Sequence, residues 1–263
     1  MNMTTLGAAP QISRLAVSLA RTPEDIEQAQ RLRYRVFAEE ERNMRLLRND
    51  GLETDAYDAF CDHLIVKDLD TEAVVGTYRL LTGDRAAAGI GFYSQTEFDF
   101  GPFARHQLTT LELGRSCIAP AYRGGKTINL LWEGIAAYLS SCRCEYLIGC
   151  ASIHPANQDE LNAIYTLLRR KGVLTDRFGI RPLPSHRIDG LAELAGEWTE
   201  KELFRKLPPL LKGYQWLGAQ IGGEPAYDAL FDTVDFFIVL HKDQVTARYK
   251  KRFMQDDAGR REA

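Results

Sequence analysis

Between residues 108 and 171 the chain changes hydrophobic period three times, and that alternation limits the folds open to it. Leu108–Ala119 (LTTLELGRSCIA) reads as a strand, Gly124-Gly125 breaks it, and a helix follows from about Thr127 to Ser141. Tyr146–Ile153 is strand-like again. A helix from about Gln158 to Lys171 then stops at Gly172. Upstream, Thr22-Pro23-Glu24-Asp25 supplies a cap, a first-turn proline and two acids, so a helix carrying Ile26, Ala29, Leu32 and Val36 starts there. His63–Leu69 and Ala73–Thr82, joined by Asp70-Thr71-Glu72, predict a hairpin. Downstream, Pro208–Leu217 reads as helix, Val234–Leu240 as a buried strand and Asp243–Phe253 as a short helix, while 173–200 has no clear pattern. The order predicts one α+β or α/β domain with a twisted, mostly antiparallel sheet. Its expected limits are 21–254, between a flexible N-terminus (1–20) and a flexible tail (255–263).

The formal charge is −3, which argues against a general nucleic-acid binder. No apolar run approaches the ~20 residues of a membrane span, and no signal peptide is read at the N-terminus. The five cysteines form no framework, which suggests reduced thiols and a cytoplasmic chain. The charge is unevenly spread. Residues 39–62 carry −5 and residues 242–254 carry +4, and Arg169-Arg170-Lys171 adds a second basic cluster. The acidic segment is either a cation-attracting loop or a solvated surface. The basic ones either dock an acidic partner or complement a helix C-terminus.

Glu112 and Arg115 stand in an otherwise apolar strand, where a charge is costly unless paired or used. Residues three apart point to opposite faces of a regular strand, so Gly114 is a candidate for a bulge that re-aims one of them. A structural salt bridge is the alternative. Arg123, Gly124, Gly125, Lys126 and Thr127 lie between a strand and a helix, where backbone N–H groups and basic side chains can hold an anion. A nucleotide P-loop is excluded, because it needs glycine at position 120, which is Pro. Cys142-Arg143-Cys144 with Cys150 lacks zinc-knuckle spacing, so no metal site is expected.

In order along the chain, RYRVF (33–37), ETDAYD (53–58), GTYRLL (76–81) and ELGR (112–115) resemble the motif series of the acyl-homoserine-lactone synthases. CDHLIV (61–66), LELGRSC (111–117), GCAS (149–152), LPPLLKG (207–213) and FDTVDFFIVL (231–240) resemble the L-ornithine Nα-acyltransferases more closely. The resemblance covers about residues 20–253. It implies a GNAT-like acyltransferase fold, an α/β three-layer sandwich, and a bacterial enzyme of ornithine-lipid biosynthesis. The implied reaction moves a 3-hydroxyacyl group from acyl carrier protein to the α-amine of L-ornithine, giving lyso-ornithine lipid. Residues 122–127 depart from the GNAT pyrophosphate loop, which favours a carrier-protein phosphopantetheine thioester over coenzyme A as co-substrate, with no bound cofactor.

On that resemblance Glu112 is the expected base and Arg115 its catalytic companion. Asp55 and Asp58 either attract the acceptor's cationic side chain or shape their loop. Arg33, Arg79 or Arg115 either pairs with the acceptor carboxylate or orders that loop. Residues 123–127 would hold the pantetheine phosphate. Arg169–Lys171 or Lys242–Arg252 would dock acyl carrier protein. The expected location is cytoplasmic, with any contact at the inner membrane peripheral. The alternatives are an acyl-homoserine-lactone or other long-chain N-acyl amino acid synthase, and a non-catalytic, haemolysin-like membrane-active protein.

Overall fold

The structure is a computed structural model and describes residues 14–194, 201, 204, 205, 207 and 209–247. Its strands are β1 (Leu15–Leu19), β2 (Asp62–Asp68), β3 (Ala73–Thr82), β4 (Phe98–Asp99), β5 (Thr110–Ile118), β6 (Tyr146–Ile153), β7 (Leu174–Thr175), β8 (Arg181–Pro182), β9 (Gln220–Gly222), β10 (Ala226–Asp228) and β11 (Thr233–His241). The helices are α1 (Pro23–Arg33), α2 (Gly83–Ala88), α3 (Lys126–Ser141), α4 (Gln158–Arg170) and α5 (Pro209–Leu217). One sheet runs β1-β2-β3-β5-β6-β11-β9-β7, with β10 on β11, while β4 and β8 pair separately. Most pairings are antiparallel; β5–β6 and β7–β9 are parallel.

Three layers form because each sheet face is covered. Leu131, Ile135 and Leu139 of α3 pack with Leu64, Leu80, Leu113 and Leu147 on one face, where α4 and Leu211 of α5 join the same core. On the other face, Ala29 and Leu32 of α1 meet Ile65, Val74 and Cys117. Phe92, Phe98, Phe100 and Phe103 gather against Phe237 and Val239 there. Helix α1 is capped as expected, the Thr22 hydroxyl accepting from Asp25 N at 3.2 Å. It runs on into a π-helical turn, Tyr34–Glu40.

Three readings need correction. The segment 1–20 is not wholly loose, because Leu15–Leu19 forms β1, paired along β2 and covered by α3. Residues 1–13 and 248–263 lie outside the described residues. The helix expected from Asp243 is a 3-10 turn at Lys242–Gln244, and the rest of that reading lies among the residues outside the description. Not every thiol is reduced: Cys142 and Cys144, with Cα atoms 5.3 Å apart where the chain leaves α3, are joined as a disulfide. Cys61, Cys117 and Cys150 are free.

The site is positioned by the β5–β6 pair. These strands hold register only at Thr110–Tyr146, Leu111–Leu147 and Glu112–Ile148. A Cβ at Gly149 would collide with the Leu113 carbonyl oxygen, so glycine permits the last close approach before the strands part. Gly114 faces open space instead. Gly149→Ala should therefore cost about 1–3 kcal/mol of stability by overpacking. Gly114→Ala should stay within about 0.5 kcal/mol of the parent protein. Urea unfolding of the two variants side by side checks both values.

Candidate active site

Three arginines and three carboxylates close an alternating ring beside the parted strands. Glu53 accepts from Arg33 Nε and from Arg115 Nε, the latter at 3.1 Å. Asp55 bridges Arg115 Nη2, at 2.9 Å, and Arg79 Nη1. Asp58 takes Arg79 Nη1 at 3.1 Å and, in a fork, Arg33 Nη1 at 2.8 Å and Nη2 at 2.9 Å. Helix α1 supplies Arg33, β3 Arg79 and β5 Arg115; the acids come from one turn between α1 and β2. Every charge has two opposite neighbours, so the cluster is neutral although Arg33 is only 1% exposed. Burial alone would raise Asp58, but Arg33 and Arg79 outweigh it and hold its carboxyl well below the usual range.

Arg115 enters the ring because β5 bulges. Thr77 pairs Cys117 and Arg79 pairs Gly114, so Arg115 and Ser116 together oppose Tyr78. The bulge for which Gly114 was the candidate is built by the next two residues, with Arg115 in the left-handed region at φ 51°. The guanidinium of Arg115 lies over the Tyr93 ring, 4.4 Å from its centroid, and 4.5 Å from that of Phe231.

The bulge turns Arg115 toward the face that also carries Glu112. Both line a cavity of about 260 Å³ with Phe37, Tyr78, Arg79 and Tyr93. Glu112 is 5% exposed. Its carboxylate accepts from Tyr93 N at 2.8 Å, Ser94 N at 2.9 Å and the Ser94 hydroxyl. Burial pushes its pKa up, against the pull of those donors and of Arg79. A carboxylate has about four lone-pair sites, so one remains after three bonds. A narrower apolar cleft lies on the α3–α5 face, lined by Trp132, Leu147, Ile238 and Leu240. It shares Leu113 and Tyr214 with the cavity.

The structure thus brings Glu112, Arg115 and Arg79 to one cavity. Arg33, Asp55 and Asp58 are not among its lining residues; they serve the ring. The 123–127 segment lies at the start of α3, with Gly125 in the left-handed region at φ 92°. Arg123 forks onto Glu40, and the buried Thr127 hydroxyl donates to Tyr122 O at 2.9 Å, so neither side chain is unengaged there. Arg169, in the last turn of α4, pairs with Asp176 and Glu193. Arg248, Lys250, Lys251 and Arg252 lie outside the described residues. Among the described residues no helix is long and apolar enough to cross a membrane.

Sequence reasoning missed the acids on the far wall. Asp228, Asp235 and Cys150 line the cavity, and Glu97 stands behind them. Glu97, Cys150 and Asp235 each place one ligand atom within 4.8 Å of the others, a grouping able to take a cation. Asp235 carried the same signal as Glu112, an acid inside an apolar strand run (VDFFIVL). Tyr214 was likewise passed over beside LPPLLKG.

The Acetyltransferase (GNAT) domain family matches residues 32–133. The L-ornithine N(alpha)-acyltransferase of Brucella abortus (strain 2308) is 37% identical over 249 residues, covering 91% of this chain and 88% of that protein. The protein of the same name from Agrobacterium fabrum is 39% identical over 259 residues, covering 92% and 86%. The crystal structure of the AHL synthase LasI superposes with a TM-score of 0.50 at 13% identity, over 92% of this chain and 95% of that one, a likeness of fold.

Breaking the ring tests its role in stability. Arg33→Met strands two acids and should cost about 3–5 kcal/mol in chemical denaturation. Asp58 has a folded pKa below its unfolded value of about 3.9, so its contribution is complete above that pH and is lost as pH falls below it. Asp58→Asn should flatten the acid limb of the stability–pH curve below about pH 4.

Proposed function

The chain belongs to the L-ornithine Nα-acyltransferases, and from that premise we propose that its cavity joins a 3-hydroxyacyl thioester carried by acyl carrier protein to the α-amine of L-ornithine. The products are lyso-ornithine lipid and the free carrier thiol. The observation that carries the reading is one buried carboxylate, Glu112, facing the same cavity as two arginines at the gap between parted strands.

The α-amine of an amino acid, with a pKa of about 8, is mostly protonated at neutral pH and cannot attack until it loses a proton. Glu112 takes that proton, directly or through water, at its remaining lone pair. Burial raises its pKa, which makes it a stronger base than an exposed carboxylate, while the Tyr93 and Ser94 donors favour its ionised form. The nitrogen then forms a C–N bond to the thioester carbon, the C–S bond breaks, and the departing sulfur takes a proton. A backbone N–H of the Arg115–Ser116 bulge receives the charge developing on the carbonyl oxygen.

The ring commits Arg115 Nε and Nη2 and Arg79 Nη1. Other N–H groups of the two guanidiniums remain outside those bonds and serve the acceptor carboxylate. The acyl chain follows the apolar cleft beside Trp132 and Ile238. Backbone N–H groups at Gly124–Lys126, backed by the α3 N-terminus, hold the pantetheine phosphate. Lys250 and Lys251 belong to the carrier-docking patch, and the protein works in the cytoplasm with only peripheral membrane contact.

Glu112→Gln should keep a native circular dichroism spectrum and lose about 100-fold or more in turnover with 3-hydroxyacyl carrier protein and ornithine. Turnover within about threefold of the parent would remove Glu112 as base. Mass spectrometry of lipids after heterologous expression should detect lyso-ornithine lipid; a diffusible lactone or another amide would reassign the acceptor. Reversing the charge of Lys250 and Lys251 should weaken carrier binding at low salt and matter less at high salt, as measured by titration at two ionic strengths.

A further inference from the structure

The strand order gives the cavity two unlike walls. Arg79 and Arg115 come from β3 and β5, while Asp228 and Asp235 come from β10 and β11 across β6. Tyr93 spans the difference. Its ring lies against the Arg115 guanidinium and its hydroxyl donates to Asp228 Oδ2 at 3.1 Å. The cationic and anionic walls are thus about one tyrosine side chain apart.

The acids of the far wall are held by neutral groups. Asp235 accepts from the Thr233 hydroxyl at 2.8 Å. Asp228 accepts from Leu230 N at 2.7 Å and Phe231 N at 3.1 Å, besides Tyr93. Glu97 Oε2 faces Cys150 Sγ at 3.8 Å, and Glu97 Oε1 has no hydrogen-bond partner although the residue is only 1% exposed. A buried carboxylate oxygen without a donor is costly. One oxygen of the Glu97 carboxylate lies within 4.8 Å of a ligand atom of Cys150 and of Asp235, both of which line the cavity. These atoms are close enough together to share one cation.

We propose that Asp235 and Glu97, with Asp228 at the rim, form the subsite for the side-chain ammonium of the acceptor and select a dibasic amino acid over a neutral one. This rests on the acceptor reading given above. An ammonium has three donors and no acceptor, which suits Glu97 Oε1 and the Asp235 carboxylate together. With the α-carboxylate on the arginine wall, the methylene chain runs beside Tyr93, and its length sets the separation of the two charged ends. Burial, and then the neighbouring acidic charges, push the Glu97 carboxyl up; burial and Asp228 do the same to Asp235. A bound ammonium relieves both.

Titration calorimetry on the full chain tests this without any acyl donor. The probes are L-ornithine and L-norvaline, which has the same three-carbon chain without the terminal amine. The parent protein should bind ornithine on the order of 100-fold more tightly than norvaline. Asp235→Asn and Glu97→Gln should each remove most of that preference and leave norvaline affinity unchanged. Equal affinity of the parent protein for both amino acids, or no binding of ornithine, overturns the proposal even if the variants fail to fold. So does ornithine binding that both folded variants leave intact. Selective ornithine binding that depends on Asp235, in a protein that transfers no acyl group to ornithine, supports the subsite and sinks the acceptor reading instead.

Discussion

The ring of Arg33, Glu53, Arg115, Asp55, Arg79 and Asp58 is the constraint on which the rest of the site depends. Six charges, of which Arg33, Glu53 and Arg79 are buried and the other three half-buried, are tolerable only because each has two opposite neighbours and the sum is zero. That closure ties α1, the acidic turn, β3 and β5 to one another. It fixes Arg79 and Arg115 where the cavity needs them, with little rotamer freedom left to lose on binding. The acids do not compete with a substrate for solvent-exposed positions; they are spent on orientation.

The second constraint is the parting of β5 and β6. Three paired residues hold the strands together, and past Gly149 they separate around the cavity. The bulge at Arg115–Ser116 uses the same stretch to place Glu112 and Arg115 on one side. A regular strand would have sent one of them into the α3 layer. The two features act together: the gap makes room, and the bulge fills its edge with charge.

Much of the fold was legible because its signals are local. The Thr22-Pro23 cap, the β2–β3 hairpin, β6 and α4 each announce themselves within one short stretch of chain. The strands of two or three residues in 174–228 gave no period to read. For the site, Glu112 and Arg115 were visible as charges in an apolar strand. The ring was not, since its bonds join residues 20 to 62 apart. Whether Asp55 and Asp58 meet substrate or hold their loop was a question of three-dimensional closure, which spacing does not encode. Asp235 looked like part of a buried strand until β10 and Glu97 were seen beside it.

The gap between β5 and β6 is bordered by the polar cavity and by the apolar cleft. The polar cavity is lined by Phe37 and Tyr93, the apolar cleft by Trp132 of α3, and Leu113 and Tyr214 border both. A charged acceptor and a greasy donor therefore need not share a doorway. On the proposed reaction both can be resident at once, meeting edge-on through the sheet. No covalent relay through the protein is required, and initial-rate lines for the two substrates should intersect instead of running parallel.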